Sequence, residues 1–257
     1  MIRKRIYNSI FKLNGHPIIA KPLKKFAESK VSKPLVGSFA NVYKLDMDEA
    51  DRQLADYQSL HHLFTRRLKE GVREVAAAED AFVSPCDGVL STVDDLTMES
   101  TFVVKGQTYT VEELLGSKQE AEKYAGGQVL IFYLSPVNYH RVHVSVDADV
   151  RRVYAIGRDA APVNDLGLTY SLRPLTRNYR LIADFEAGGH SFAQVMVGAL
   201  NVNTIERTNM NDSVKKGEEF GYFSFGSTVV TCVPKGALTF NGKIGPVKMG
   251  EQVGTWR

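Results

Sequence analysis

The sequence predicts an α+β protein in which a mostly antiparallel β domain follows N-terminal amphipathic helices. From about Ala81 onward, short runs rich in β-branched and aromatic residues are separated by glycine-containing turns, which is typical of antiparallel sheets. Before that point, apolar residues recur at helical spacing among basic ones. We therefore expect basic amphipathic helices in residues 1–75 and one β-rich domain in residues 76–257.

The N-terminal helices are predicted in two segments. In residues 1–30, the apolar positions Ile2, Ile6 and Ile10 repeat every fourth residue, and LHHLFTRRLKEGVREV (60–75) has similar apolar spacing. A basic amphipathic helix can lie on an anionic membrane or dock on its own protein core, and the pattern leaves both open. Against the single acidic residue Glu28, the first 33 residues carry these basic ones: Arg3, Lys4, Arg5, Lys12, Lys21, Lys24, Lys25, Lys30 and Lys33.

Two stretches of the β region share the pattern V-K-x-G-E-x-x-G: VKKGEEFG (214–221) and VKMGEQVG (247–254). Each is typical of a turn that enters a strand, so we expect pseudo-symmetric β hairpins and a barrel-sandwich-like core. One short helix is expected in VEELLGS (111–117). The strands are expected in AFVSPCDGVLSTV, TFVVKGQTYTV, GQVLIFYL, RVHVSVDADVRRVYAIG, YRLIADFEA, SFAQVMVGALNVNTI, EFGYFSFGSTVVTCV and GALTFNGKIGPVKMG.

The composition is that of a globular protein, with 257 residues, 44% hydrophobic and 24% charged. A net charge of +3 indicates no particular partner, and we expect no nucleic-acid binding. Cys86 and Cys232 are too few for a disulfide framework and fit a reducing compartment. No apolar run is long enough to span a membrane, and no secretory signal is evident, so we expect the protein to stay inside the cell.

A glycine interrupts the late apolar run YFSFGSTVVTCV (222–233) at Gly226, directly before Ser227. Glycine weakens a strand interior and often marks a bulge or turn, which is the commoner explanation for such a junction. The chemical alternative is a peptide bond that a serine oxygen attacks. Such a hydroxyl needs a base to take its proton and a third group to orient that base.

The histidines differ in what their surroundings predict. His61 and His62, beside basic residues, are expected to face water, and His190 follows two glycines in a turn. In SPVNYHRVHVSV (135–146), strand periodicity puts the valines on one face and His143 on the other, toward a polar cleft or solvent. The same periodicity sends His140 and His143 to opposite sides, so we expect no metal site.

Asp87, in SPCDG, precedes a glycine and could be either a turn residue or the carboxylate that orients a histidine. Its sequence surroundings favour the turn. Arg141 and Arg177 could contact an anion, although their charge is the only argument for that role.

Several motifs together resemble phosphatidylserine decarboxylases, in the same order along the chain. The resemblance runs from the basic N-terminal helices to near the C-terminus and departs from the family pattern at Phe225, where many members have leucine. The motifs that carry it are LHHLFTRRLK, SPCDG, VKGQTYTVEELLG, YHRVH, VGA (197–199) and FGST.

The resemblance implies a pyruvoyl enzyme that makes its own cofactor. Asp87, His143 and Ser227 would form a triad in which His143 takes the Ser227 proton and Asp87 holds the imidazole. Ser227 would then attack the carbonyl of Gly226, whose missing side chain leaves that approach open. The products would be a β chain, 1–226, and an α chain, 227–257, which the flanking strands hold together. The new pyruvoyl group would bind the substrate amine as a Schiff base.

The implied reaction converts phosphatidylserine to phosphatidylethanolamine and CO₂. His143 or His140 would return a proton to the α-carbon, since imidazole titrates near working pH. Because the substrate would be a membrane lipid, we expect the basic N-terminal helices to contact an anionic membrane surface. We expect peripheral association at the cytoplasmic face of the cell membrane, with residues 76–257 as the catalytic domain; a homodimer is left open.

Three other functions are consistent with parts of this pattern. The same triad could act on an external substrate in a hydrolase that is never cleaved. The shared V-K-x-G-E pattern would also fit a non-catalytic β-sandwich carrier, although no lipoyl-type lysine hairpin is evident. A decarboxylase of the same fold could act on a soluble amino acid or on another phospholipid.

Overall fold

The computed structural model describes residues 17–199, 205–224 and 227–257. The predicted helices in residues 1–16 lie outside these ranges. The helices that it describes are α1 (Pro17–Glu28), α2 (Val36–Tyr43), α3 (Leu60–Phe64), α4 (Val111–Leu115), α5 (Lys118–Glu122), α6 (Asp165–Tyr170) and α7 (Pro174–Arg177), with 3₁₀ turns at Lys30–Leu35 and Leu54–Asp56.

Most strands lie in the predicted runs, although Ser213–Val214 and Gln252–Trp256 lie outside them, and every strand pair in the described ranges is antiparallel. This confirms the predicted fold class. The strands are β1 (Ala81–Val83), β2 (Gly88–Asp95), β3 (Thr101–Val104), β4 (Gln107–Thr110), β5 (Gln128–Leu134), β6 (Arg141–His143), β7 (Ala148–Ile156), β8 (Arg180–Ala187), β9 (His190–Gly198), β10 (Ile205–Arg207), β11 (Ser213–Val214), β12 (Glu219–Phe223), β13 (Ser227–Val233), β14 (Leu238–Phe240), β15 (Gly245–Val247) and β16 (Gln252–Trp256).

One eight-stranded sheet, in the order β11-β7-β8-β9-β13-β5-β2-β15, organises the molecule. All seven residues of β13 are buried, because apolar side chains cover both faces of the sheet. Val229 packs into one apolar cluster and Val230 into the other, as strand alternation requires. Two three-stranded sheets accompany the large one, in the orders β1-β16-β14 and β10-β12-β6. The run of apolar residues in the sequence reflects this two-sided burial.

The strands repeat in two halves. In one half β10 pairs with β12, as β14 pairs with β16 in the other half. Likewise, β11 pairs with β7 in the first half, as β15 pairs with β2 in the second. The V-K-x-G-E turns lead into β12 and β16 and put Gly217 and Gly250 at φ values of +78° and +86°. In both turns a glutamate carboxylate accepts the N–H of the preceding lysine. The predicted pseudo-symmetric turns are therefore present.

The N-terminal helices build a separate apolar cluster, which includes Phe39, Tyr57 and Leu63. The predicted helix over residues 60–75 is wrong beyond Phe64, where α3 ends. Beyond Phe64 the backbone of Arg67 and Lys69 bonds to Asp51 and Glu49, so this segment pairs with another part of the chain and does not continue the helix. Within the described ranges, no helix combines the length and the apolar composition needed to cross a bilayer.

Candidate functional site

Ser227 is the first residue of β13, and it is paired with Leu134 of β5 and Gly198 of β9. Its side chain is fully buried, and its hydroxyl has no hydrogen-bond partner among the described residues. An unsatisfied buried hydroxyl costs about 1–3 kcal/mol, and the hydroxyls of Thr228 and Thr231 on the same strand are also without a partner among the described residues. Phe225 and Gly226 lie outside the described residues, and the predicted cleavage after Gly226 stays a prediction.

His143 lies in β6 and is buried, 7% exposed. Its ring is held by two partners, with Nδ1 at 2.9 Å from the Gly217 carbonyl and Nε2 at 3.1 Å from the Tyr139 hydroxyl. Because a carbonyl only accepts, Nδ1 carries the hydrogen, and Nε2 is left to accept the tyrosine O–H. Burial lowers the pKa of His143, which favours the neutral imidazole. The expected polar surroundings are confirmed, but the ring does not face solvent.

Asp87 ends the turn before β2 and is held away from solvent by two donors. Arg73 Nε lies 2.9 Å from Oδ1, and the Met249 N–H donates to the same oxygen at 2.9 Å. Arg73 also bonds to Glu49 at 2.7 Å and lowers the pKa of that carboxyl to about 2. In this state Asp87 is the partner of an arginine; no hydrogen bond between described residues joins it to His143.

The backbone nevertheless brings the two residues to one region. The His143 N–H donates to the Pro85 carbonyl at 2.7 Å, which ties β6 to the turn that carries Asp87. The Asp87 charge is among the causes that raise the pKa of His143, opposing the larger effect of burial. The Asp87 charge thus acts on His143, while the hydrogen bonds of the two side chains go to other partners.

His140 is fully buried, and it lies against the segment that leads to Ser227. Its carbonyl accepts the Phe223 N–H at 2.9 Å, and its ring stacks on Phe64 with centroids 3.9 Å apart. Nδ1 bonds to the Asn138 carbonyl at 2.8 Å, whereas Nε2 has no partner among the described residues. Burial lowers the pKa of His140 to about 3, so the ring is neutral at physiological pH.

The prediction that His61 faces water is wrong. His61 is half-buried, and its Nε2 lies 3.1 Å from the Ser224 hydroxyl, three residues before Ser227. Helix α3 therefore supplies a side chain to the neighbourhood of the site. The basic residues next to His61 in the sequence gave no indication of this contact, because Ser224 is distant in the chain.

Sequence reasoning missed Arg73 and Tyr139, which hold Asp87 and His143. No local pattern distinguishes them, since each acts on a residue brought close only by the fold. The two arginines that were considered as anion contacts have carboxylate partners: Arg141 bonds to Glu219 at 2.7 Å and Arg177 to Asp159 at 2.8 Å.

A cleft of about 530 Å³ opens beside Tyr139, whose hydroxyl contacts His143. Its lining is Arg67, Leu68, Tyr139, Thr208, Asn209, Met210, Asn211, Glu218 and Glu219.

Comparison with known proteins gives a consistent result. The family model for phosphatidylserine decarboxylase matches residues 60–255. A phosphatidylserine decarboxylase proenzyme of Halalkalibacterium halodurans is 44% identical over 257 residues, covering 99% of both chains. Proenzymes of the same name from Geobacillus kaustophilus and Anoxybacillus flavithermus are 42% and 43% identical, covering 99% and 98% of this chain and 98% and 96% of their own.

Proposed function

The chain belongs to the phosphatidylserine decarboxylase family, and we propose that it cuts itself between Gly226 and Ser227 and then converts phosphatidylserine to phosphatidylethanolamine and CO₂. The observation that supports this most directly is the buried hydroxyl of Ser227, which has no partner among the described residues and stands at the beginning of the central strand. A hydroxyl with no partner among the described residues is available for the proposed attack.

In the proposed cleavage, Nε2 of His143 accepts the Ser227 proton. The required tautomer is supported by the Gly217 carbonyl, which fixes the hydrogen on Nδ1. Tyr139 occupies Nε2 in the described state, so its hydroxyl must turn aside before the transfer. Asp87 stabilises the imidazolium through its charge; a direct hydrogen bond to the ring would require Asp87 to leave Arg73.

The covalent steps balance without an outside oxidant or reductant. Attack of the Ser227 oxygen on the Gly226 carbonyl converts the peptide bond to an ester. Loss of the Ser227 α-proton expels the Gly226 carboxylate and leaves a dehydroalanine. Its imine form takes up one water and releases one ammonia, which gives the pyruvoyl group at the start of 227–257.

The fold provides for holding both fragments together after the cut. Strand β13 is hydrogen-bonded along its length to β5 and β9, and both of these strands belong to the 1–226 fragment. Strands β15 and β16 likewise pair with β2 and β1. Breaking one peptide bond removes none of these ladders, so we expect the pyruvoyl position to stay in the sheet.

The pyruvoyl group would supply a ketone that condenses with the substrate amine and withdraws electrons from the α-carbon as CO₂ leaves. His140 is suited to move the proton. The Asn138 carbonyl holds the hydrogen on Nδ1, and Nε2 has no partner among the described residues. Because burial lowers the pKa of this ring to about 3, the negative charge of the bound substrate would have to raise it before Nε2 takes up a proton. The same nitrogen would then pass that proton to the α-carbon, which gives the neutral amine, and the released amine takes up one further proton from water at neutral pH.

We further propose that residues 1–75 attach the enzyme peripherally to an anionic membrane, on the cytoplasmic face, and that residues 76–257 carry the chemistry. The concentration of basic residues before position 34 supports this. The expected result is binding of the purified protein to vesicles that contain anionic lipid, with release at high salt. Equal binding to neutral vesicles would contradict it.

The test of the reaction is conversion of phosphatidylserine, labelled in the serine carboxyl, by the purified protein. We expect labelled CO₂ and phosphatidylethanolamine in equal amounts, and no product from the Ser227→Ala variant. Release of free serine, or of a fatty acid, by a protein that remains one chain would instead indicate a hydrolase. Activity on free amino acids but not on the lipid would indicate a decarboxylase with a soluble substrate.

A further inference from the structure

Arg66 is a buried cation with no ion-pair partner among the described residues. It follows the end of α3 by two residues and is 5% exposed. Nη2 donates to the carbonyls of Val137 and Asn138 at 2.9 and 3.3 Å. Nε and Nη1 have no hydrogen-bond partner, and no carboxylate forms an ion pair with this guanidinium in the described part of the chain.

The other buried arginines show that this arrangement is unusual for the fold. Arg73 is neutralised by Asp87 and Glu49, and Arg141 by Glu219. Arg180 has no carboxylate, but each of its guanidinium nitrogens donates to a backbone carbonyl. A buried guanidinium left with free N–H groups costs several kcal/mol of desolvation, and burial lowers the pKa of Arg66 accordingly. Its retention indicates that an anion completes the site.

The location of Arg66 indicates which anion. Arg66 Nη2 and His140 Nδ1 share the Asn138 carbonyl, so the two side chains meet at one oxygen. Each also has a nitrogen with no partner in the described ranges. His140 in turn contacts Phe223, in the segment before Ser227. An anion on Arg66 would therefore lie beside the proposed proton carrier.

We propose that Arg66 binds the phosphodiester of the phospholipid head group and so sets the α-carbon against His140. The proposal rests on the proposed function. The substrate has two anionic groups, but its carboxylate loses its charge as CO₂ leaves. A guanidinium bound there would stabilise the ground state more than the transition state and slow the reaction. The phosphodiester keeps its charge throughout and lies only a few bonds from the α-carbon, so binding it carries no such penalty.

The first experiment measures binding without catalysis. Glycerophosphoethanolamine has the phosphodiester but no carboxylate, and the uncleaved Ser227→Ala protein cannot turn over. We expect calorimetry to detect its binding to this protein and a loss of roughly 10- to 100-fold in affinity when Arg66→Gln is added, the range for lost charge-assisted hydrogen bonds. Arg66→Lys should lose less, because it keeps the charge. Equal affinity with and without the Arg66→Gln change would overturn the proposal.

The second experiment separates the phosphodiester from other roles. For the processed enzyme we expect Arg66→Gln to raise KM for phosphatidylserine roughly 10- to 100-fold with little change in kcat, and to leave KM for an O-alkyl serine without phosphate unaltered. Arg177→Gln, on an exposed arginine paired with Asp159, is the matched control and should change neither. A lower kcat on both substrates would instead indicate a carboxylate contact, and failed cleavage a role in processing; either contradicts the proposal.

These experiments also separate the inference from the proposed function. If the native enzyme fails to release CO₂ from phosphatidylserine, the proposed function is wrong, whatever the variants do. If it does release CO₂ but Arg66→Gln behaves like Arg177→Gln, only the assignment of Arg66 is wrong. A variant that fails to fold would be recognised by its unfolding transition, and Arg66→Lys would then decide the question.

Discussion

The two halves of the β domain contain the same turn, but the residues around that turn differ. Asp87 and Asp147 each follow the small-sheet strand of their half, β1 and β6, by four residues. Each accepts an N–H from the residue before a left-handed glycine: Met249 at 2.9 Å and Lys216 at 2.8 Å. The backbone frame is therefore common to both halves, and it alone does not produce a site.

The difference lies in what surrounds each aspartate. Asp147 is exposed and pairs with the exposed Lys215, whereas Asp87 is buried and pairs with Arg73. At the position equivalent to His143, the other half has Val83, as the pairing of β1 with β16 and of β6 with β12 shows. Arg73 and Glu49 come from the segment before the repeated strands. The proposed chemistry thus depends on residues added to one half of a duplicated frame.

The largest effect is expected from removing the histidine that distinguishes the halves. His143→Ala should slow self-cleavage by a factor of about 100 or more, the usual contribution of a general base. The measurement is a time course of precursor and fragments after cell-free synthesis, with thermal unfolding to verify folding. His190→Ala, at the beginning of β9, is the control and should be cleaved like the native chain. Normal cleavage of the folded His143→Ala protein would remove His143 from the mechanism.

The two aspartates should respond very differently to the same substitution. Asp87→Asn leaves Arg73, whose side chain is 6% exposed, without one of its two carboxylates and should lower the free energy of unfolding by about 3 kcal/mol. Asp147→Asn breaks an exposed, solvent-screened pair and should change it by less than about 1 kcal/mol. Urea unfolding of the two variants in the Ser227→Ala background gives the comparison. Similar losses would show that the halves are energetically equivalent.

The two left-handed glycines, Gly217 and Gly250, allow the backbone of the two halves to be compared. Alanine at either would be strained by the positive φ, at a cost of about 1 kcal/mol or more. At Gly250 the added Cβ would also lie 2.5 Å from the Glu74 carbonyl oxygen, whereas at Gly217 it would meet a methyl group of Val75 at 2.5 Å. A side chain can move aside more easily than backbone, so Gly250→Ala should unfold at lower urea than Gly217→Ala. The reverse order would contradict this packing.

The smallest expected effect is one of pH. Burial lowers the pKa of His143 below its ordinary value of 6.5, so the neutral base persists as the pH falls through that value. We expect the rate of cleavage to be nearly constant between pH 7.5 and 6.5 and to fall only at lower pH, as the folded protein finally takes up the proton. Circular dichroism at each pH separates this fall from acid unfolding. A rate that halves near pH 6.5 would indicate a solvated imidazole.

The sequence was sufficient for most of the strands, for the short helix predicted within 111–117 and for the paired turns, because their periodicity and glycine positions are local. It also selected Asp87, His143 and Ser227, through motifs and not through geometry. It could not show that Arg73 holds Asp87, since the two are joined by folding alone. The helix predicted beyond Phe64 failed for the same reason: the backbone of Arg67 and Lys69 bonds to Asp51 and Glu49, which are distant in the chain.

The most direct test of the account is intact mass spectrometry of the purified protein. We predict two chains, 1–226 and 227–257, with the smaller one lighter by one ammonia than a simple hydrolysis product, because a pyruvoyl group replaces its first serine. The Ser227→Ala protein should remain one chain of full mass. An uncleaved native chain that is nonetheless active, or a small fragment that begins with an intact serine, would contradict the account.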